Sequence, residues 1–486
     1  MSELATNRLI EAALGALNQA GVSYGDIRIV DYQEEWIKAR GQTIEALSHN
    51  ASRGFGVRAL VDGAWGYAAS SILTPEEVAR CAQQATEIAR QNNNRVFPFQ
   101  LDPLPPQVGQ YTTPVLTSYF DVPTDQKLAL LFAATEILDK DDRIVAAKAT
   151  VHGIERITWL ASTEGTLLQQ RHLLCGGGIS ATAAENGIVQ TRSYPKSGEG
   201  NINAAGWEFV EGLNLVEESE RVREEALEML RARPCPAGEK TIILDGAQLS
   251  LQIHESCGHP IELDRVLGEE ISLAGCSFLD TDKMGQLQYG SPLVHLYADA
   301  TSEGGPGTFG WDDEGVPAHS WDIVKEGVFV GYLGSRETSQ RVPGTCSGAL
   351  RADSWSKLPI VRMVNINLAP GEPTLEEMIA DTKDGLYLSA NRSWSIDDFR
   401  LNFQFGCEVG WEIKNGKLGN MVRDPVYTGI TPQFWQSCDA ISSERDWQMW
   451  GWRFCGKGDP MQLMHVGHGC SPTRFRNVKV GAANVG

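Results

Sequence analysis

Between residues 4 and 19 the apolar positions Leu9, Ala13, Leu14 and Leu17 recur every three or four residues, the stripe of an amphipathic helix. From Asp26 to Tyr32 apolar and polar residues alternate instead, as in a half-buried strand. Gly54 to Tyr67 places two strand-like runs on either side of Asp62-Gly63, a pair that tolerates the left-handed backbone of a tight hairpin. Residues 73–90 return to the helical period, with Thr74 as cap ahead of Pro75 and Glu76. Residues 97–114 are proline-rich and without period, and read as an extended linker. A second mixture follows: a helix over 125–138, strands over 144–151, 155–162 and 165–174, a glycine- and serine-rich loop over 193–206, and a charged helix over 216–233 stopped by Pro234 and Pro236.

The remaining half opens on Lys240–Leu244, a short apolar run expected to be a buried strand. A helix is expected from near Gly246, carrying Leu249, Leu251 and Ile253 toward His254. Beyond it turn and strand patterns dominate, with hairpin-type turns at Glu314-Gly315, Lys325–Gly327, Lys383–Gly385 and Lys414–Gly416. The expected fold class is α+β in three parts. An N-terminal α/β unit (1–110) and a middle α+β region (111–235) precede a large C-terminal domain (236–486), mainly antiparallel, sheet- or barrel-like, that carries the metal-binding helix.

Composition changes this picture little. A length of 486 residues, 42% hydrophobic and 21% charged, suits a globular chain of several domains. The net charge of −20 argues against a general nucleic-acid binder, because a polyanion would be repelled. Glu3, Asn7, Arg8 and Glu11 interrupt any signal-peptide core, and no apolar run reaches membrane-spanning length, so a cytoplasmic protein without a membrane partner is expected. The 10 cysteines are irregularly spaced and do not form a disulfide framework.

The chemistry concentrates at His254-Glu255-Ser256-Cys257-Gly258-His259. Two imidazoles can hold a metal ion, and a carboxylate beside the first can take a proton from water at that ion. The spacing is unusual. Five steps of about 100° leave two side chains of a regular helix roughly 140° apart, so the helix must be distorted by a π-bulge or end at His259. Gly258 eases a backbone departure, and Pro260 biases His259 away from helical geometry.

A catalytic zinc site needs three protein ligands and an open vertex. Cys257 lies within reach of His254 in sequence, and Glu262 could be a ligand or an outer partner of one. Near the C-terminus Cys455, His465, His468 and Cys470 form a second cluster, although lone cysteines are more often buried apolar residues and the two histidines could lie on the surface. Asp312, Asp313 and Glu314 read as an acidic turn, solvated in preference to binding a second cation, and Arg351 and Arg362 could hold a substrate carboxylate or pair with acids.

Five ordered segments accompany the motif His254–Asp264: Arg53–Ala68, Trp311–Ala318, Arg362–Glu372, Asp381–Leu388 and Phe454–Pro460 lie around it almost end to end. With them the chain resembles the TldD/PmbA family, on its TldD side. The resemblance implies that His254, His259 and Cys455 hold Zn2+, that Glu255 is the catalytic base and that Glu262 stands behind the ligands. It implies a zinc-dependent peptidase that attacks extended or unfolded peptides with zinc-bound water, among them leader peptides of ribosomally made modified peptides. It also implies a heterodimer with a PmbA/TldE-like subunit, or a homodimer. The alternative is a non-catalytic, zinc-stabilised binding subunit, against which the retention of Glu255 speaks. After Cys455 the run Gly456–Gln462 is longer than the Gly-Lys-x-Gly-Gln usual in the family.

Overall fold

The computed structural model describes residues 3–92, 100–198, 200–272 and 275–483. Helix α1 (Glu3–Ala20) buries Leu9, Ile10, Ala13 and Leu17, the stripe read from the sequence. Strands β1 (Tyr24–Arg40), β2 (Thr43–Val61) and β3 (Ala64–Ser70) follow, then helix α2 (Pro75–Gln91). The Thr74 side chain caps α2 by accepting from the Glu77 N–H at 3.3 Å. Asp62 and Gly63 have φ of 50° and 77°, the paired left-handed residues of the hairpin turn between β2 and β3.

Next come β4 (Val108–Thr112), helix α3 (Thr124–Leu138), β5 (Ile144–Ser162), β6 (Leu167–Glu185), β7 (Ile188–Tyr194), β8 (Asn201–Asn203) and helices α4 (Trp207–Gly212) and α5 (Leu215–Met229). All eight strands form one sheet of order β3-β2-β1-β5-β6-β4, with β7 and β8 also on β6. The sheet runs through residue 110 without a break, because β1 pairs antiparallel with both β2 and β5. The residues read as linker contain β4, which pairs parallel with β6 at the sheet edge, so its order comes from a distant partner and leaves no apolar period. Residues 93–99 of that stretch lie outside the described residues. Two apolar clusters cover the sheet: α1 and α2 on Ile27, Phe55 and Val57, and α3 to α5 on Ile37, Val151 and Ile179.

In the C-terminal part, strands Gly238–Leu244, Thr473–Ala482, Pro425–Ile430, Asn402–Lys414 and Asp384–Ile396 pair in a ring that closes on itself. Only the contact between Gly238–Leu244 and Asp384–Ile396 is parallel within this five-stranded barrel. A six-stranded sheet lies beside it and includes Leu296–Asp299, Asn365–Leu368, Gln448–Lys457 and Gln462–Cys470. One apolar cluster unites barrel and sheet. The α+β class and the barrel-like C-terminal part are those expected. Left-handed pairs at Glu326-Gly327 and Asn415-Gly416 make two of the expected hairpin turns. Lys383–Gly385 does not: Asp384 and Gly385 open the barrel strand Asp384–Ile396, whose parallel neighbour fixes them in extended form. Among the described residues, no helix is long and apolar enough to cross a membrane.

Candidate metal centre

Helix α6 (Gly246–Ile253) starts where Asp245 accepts from the Gln248 N–H at 2.7 Å, and it runs between the barrel and the strands Gln448–Lys457 and Gln462–Cys470. Residues His254–Gly258 continue it as a π turn, in which the His259 N–H donates to the His254 carbonyl at 3.1 Å. An i to i+5 turn brings the fifth residue back over the first. The two imidazoles therefore meet, centroids 4.8 Å apart and planes perpendicular. His259 keeps helical angles (φ −69°, ψ −44°), so Pro260 does not displace it as expected; the hydrogen bond to His254 holds it. Gly258 is required by packing instead of by backbone freedom, since a Cβ there would fall 2.3 Å from Met363 Sδ.

Hydrogen bonds fix the tautomers. Ile366 O can only accept, so His468 carries its proton on Nδ1, 3.0 Å away. His468 Nε2 is then an acceptor, and His254 Nδ1 donates to it at 2.8 Å. His259 Nδ1 donates to Glu262 Oε2 at 3.2 Å. Both histidines are left with an unprotonated Nε2, the ligating form. Cys455 Sγ stands 4.0 Å from His259 Nε2, and one ligand atom each from His254, His259 and Cys455 lies within 4.8 Å of the others.

Electrostatics favour the same forms. Burial holds the His254 imidazole down to about 4 and lowers His259 as well, which keeps both neutral. Burial opposes ionisation of Cys455, yet His259 and Arg362 outweigh it and draw the thiol below its usual value. Burial instead pushes Cys257 up to about 12 and raises Cys470 well above the usual thiol value. Behind the trio, Glu262 is fully buried and held well below the usual carboxylate range despite burial, chiefly by Lys457, with His259 and Arg265 adding to it. Arg265 donates to Glu262 Oε2 at 3.1 Å.

Glu255 is 6% exposed and forms an ion pair with Arg400, a residue that the sequence reading did not single out. Arg400 sits at φ 61° in the turn following the barrel strand Asp384–Ile396, and its carbonyl accepts from Thr431 Oγ1 at 2.9 Å. No local motif ties it to Glu255, 145 positions away.

Of the other candidates, His468 is fully buried and braces His254, so the surface reading is wrong for it. His465 hydrogen-bonds the Arg453 carbonyl at 2.9 Å and stands outside the trio. Cys470 contacts the Gly246 carbonyl, and Cys257 lies in the apolar core. The acidic turn is not solvated: Asp312 and Glu314 are 1% and 3% exposed, Asp312 binds three backbone N–H groups, and Asp313 pairs with Arg28 of β1. Arg362 donates to the carbonyls of Cys455 and Gln462.

The family model for the PmbA/TldA metallopeptidase C-terminal domain matches residues 237–482, that for domain 1 matches 25–89 and that for the central domain 118–233. The chain belongs to the PmbA/TldD metallopeptidase family. A metalloprotease from Methanocaldococcus jannaschii is 28% identical to this PmbA/TldD chain over 453 residues, 93% of the chain and 96% of its own length. A metalloprotease TldD homolog from Haemophilus influenzae is 25% identical over 489 residues, 99% and 98% of the two chains. A zinc metalloprotease TldD homolog from Saccharolobus solfataricus matches at 24% identity over 260 residues, 52% of this chain and 54% of its own. The fold is that of two solved structures. A Thermotoga maritima protein described as a candidate modulator of a DNA gyrase has a TM-score of 0.75 at 18% identity, covering 98% and 99% of the two chains. TldE from Thermococcus kodakarensis has a TM-score of 0.71 at 16% identity, with the same coverage.

Proposed function

We propose that this PmbA/TldD-family chain is a zinc-dependent peptidase acting on extended or unfolded peptides, among them leader peptides of ribosomally made modified peptides. The observation that carries the reading is the convergence of His254, His259 and Cys455 around one point, with the carboxylate of Glu255 on the same π turn and not used as a ligand. Two imidazole nitrogens and a sulfur with thiolate character suit zinc, and three protein ligands leave one vertex open. The name of the Saccharolobus relative supports zinc as the metal.

When bound, the ion supplies a Lewis acid that polarises the scissile carbonyl and acidifies water beside it. Glu255 takes a proton from the attacking water at its carboxylate and returns it to the leaving amine nitrogen as the C–N bond breaks. His468 and Glu262 keep the ligand imidazoles in register by holding their Nδ1 protons. Tyr289 and Trp435 fix the turn itself through Ser256, with bonds of 2.8 and 2.9 Å.

The same reading assigns a PmbA/TldE-like partner subunit or a second copy of the chain, and a cytoplasmic location. The likeness to TldE supports the first, and the free thiols of the described cysteines support the second. It also keeps a three-part division near residues 110 and 235, supported by separate apolar clusters, although β1 and β5 join the first two parts in one sheet.

The deciding experiment is zinc analysis together with mass spectrometry of an unfolded peptide after incubation, with and without a PmbA-type partner. The expected result is about one zinc per chain and chelator-sensitive cleavage that Glu255→Gln abolishes while zinc is retained. Zinc without cleavage under either condition would leave a metal-stabilised binding subunit instead.

A further inference from the structure

A cavity of about 380 Å³ lies between the first sheet and the C-terminal part. Its floor includes Phe454 and Met464, from the strand pair that carries Cys455. Trp311, Trp355 and Phe309 give it aromatic walls, and the guanidinium of Arg351 stands 5.6 Å from the Phe309 ring.

The cavity is lined by Glu34, Asp312, Asp313 and Asp353 as well as Arg156, Arg351 and Arg453, but its carboxylates are not paired with all of its guanidinium groups. Asp313 is occupied by Arg28 at 2.7 Å, Asp312 by backbone N–H groups, and Glu34 by Arg453, Tyr32 and Asn50. Arg156 and Arg351 have no carboxylate partner among the described residues. Arg156 donates to the Thr158 hydroxyl at 3.3 Å, and Arg351 to the carbonyls of Met363 at 2.7 Å and His465 at 3.3 Å. Burial, Arg362 and Arg156 push Arg351 down to about 9, and Asp313 and Cys455 offset this only in part. The side chains of Arg156 and Arg351 are both half-buried, and a guanidinium partly withdrawn from water without a paired carboxylate gains from an incoming anion. Asp353 accepts from the Leu463 N–H at 3.0 Å through Oδ2 and keeps a buried Oδ1 without a partner.

We propose that this cavity is a carboxylate-recognising substrate pocket, in which Arg156 and Arg351 bind a peptide carboxylate and the aromatic walls take the side chain next to it. Guanidinium forks match carboxylates, and aromatic faces add apolar contact without demanding one residue type. The inference rests on the peptidase reading, because it places the anchor beside the Cys455 strand pair. The carboxylate can be the chain end of the substrate or an acidic side chain.

The test uses zinc-loaded Glu255→Gln protein, so that binding is read without turnover. Three N-acetylated probes are titrated by calorimetry: a pentapeptide ending in phenylalanine as the free acid, the same peptide as C-terminal carboxamide, and the carboxamide with an aspartate before the phenylalanine. The expected result is that at least one carboxylate-bearing probe binds about tenfold or more tighter than the plain carboxamide. Arg156→Gln, added to the same protein, is expected to erase that difference. Preference for the free acid identifies the chain end, and preference for the aspartate probe identifies a side chain. Equal binding of all three, or a preference that a folded Arg156→Gln protein retains, overturns the proposal. The comparison of probes stands even if Arg156→Gln fails to fold. Wild-type cleavage of the carboxamide without any carboxylate preference would reject the pocket and keep the peptidase. Carboxylate preference in a protein that cleaves nothing would do the reverse.

Discussion

Glu255 and Arg400 face each other with both side chains 8% exposed, and the ion pair offsets part of the cost of burying each charge. Removing one member of such a pair leaves a buried charge and costs about 3–5 kcal/mol. Arg400→Met is therefore expected to lower the urea midpoint strongly, and Glu255→Gln with Arg400→Met to recover part of the loss, because neither charge then remains. A simple sum of the two single effects would show that the pair is not coupled. His468 acts through His254 and has a different signature. With His468→Phe the His254 Nδ1 proton loses its acceptor, and zinc affinity is expected to fall about 10–100-fold in a chelator competition. An unchanged affinity would mean that the imidazole needs no brace.

The π turn is the element on which the proposed ligand geometry depends, and much of it was legible in the sequence. A separation of five between two ligand-type residues is incompatible with a regular helix, and a wider turn resolves that conflict locally. Pro260 and Gly258 misled for a related reason: their intrinsic preferences are weaker than the tertiary contacts around them. Gly258→Ala is expected to cost about 1–3 kcal/mol through overpacking against Met363 Sδ. Adding Met363→Ala should return part of it, as read by thermal unfolding of the single and double variants. What stayed hidden involves distant pairing. β4 is ordered by β6, Asp384-Gly385 by a barrel neighbour, and Arg400 meets Glu255 across 145 positions, so none of them leaves a trace in the local pattern. The caps and hairpin turns, decided by a few neighbouring residues, were read directly.

At the scale of the whole molecule, the first sheet is joined to the C-terminal part by polar contacts. Arg28 pairs with Asp313, Arg336 with Glu164, and Trp65 Nε1 donates to Glu337 Oε2 at 2.8 Å. Burial raises the Glu337 carboxyl from 4.5 to about 7, a shift that the Trp65 hydrogen bond only partly opposes. The folded protein therefore keeps a proton that the unfolded chain has already lost. The contribution to stability is full below pH 4.5 and disappears as pH rises through about 7. Glu337→Gln is expected to flatten the urea midpoint between these pH values; an identical slope in the variant would assign the pH dependence to other groups. The proposed ligands come from opposite ends of the C-terminal part, His254 and His259 from its beginning and Cys455 from one of its final strand pairs. On the proposed reading, the centre can assemble only after Cys455 has been added and its strand has docked, so that any hydrolytic capability would arise only once the surrounding scaffold exists.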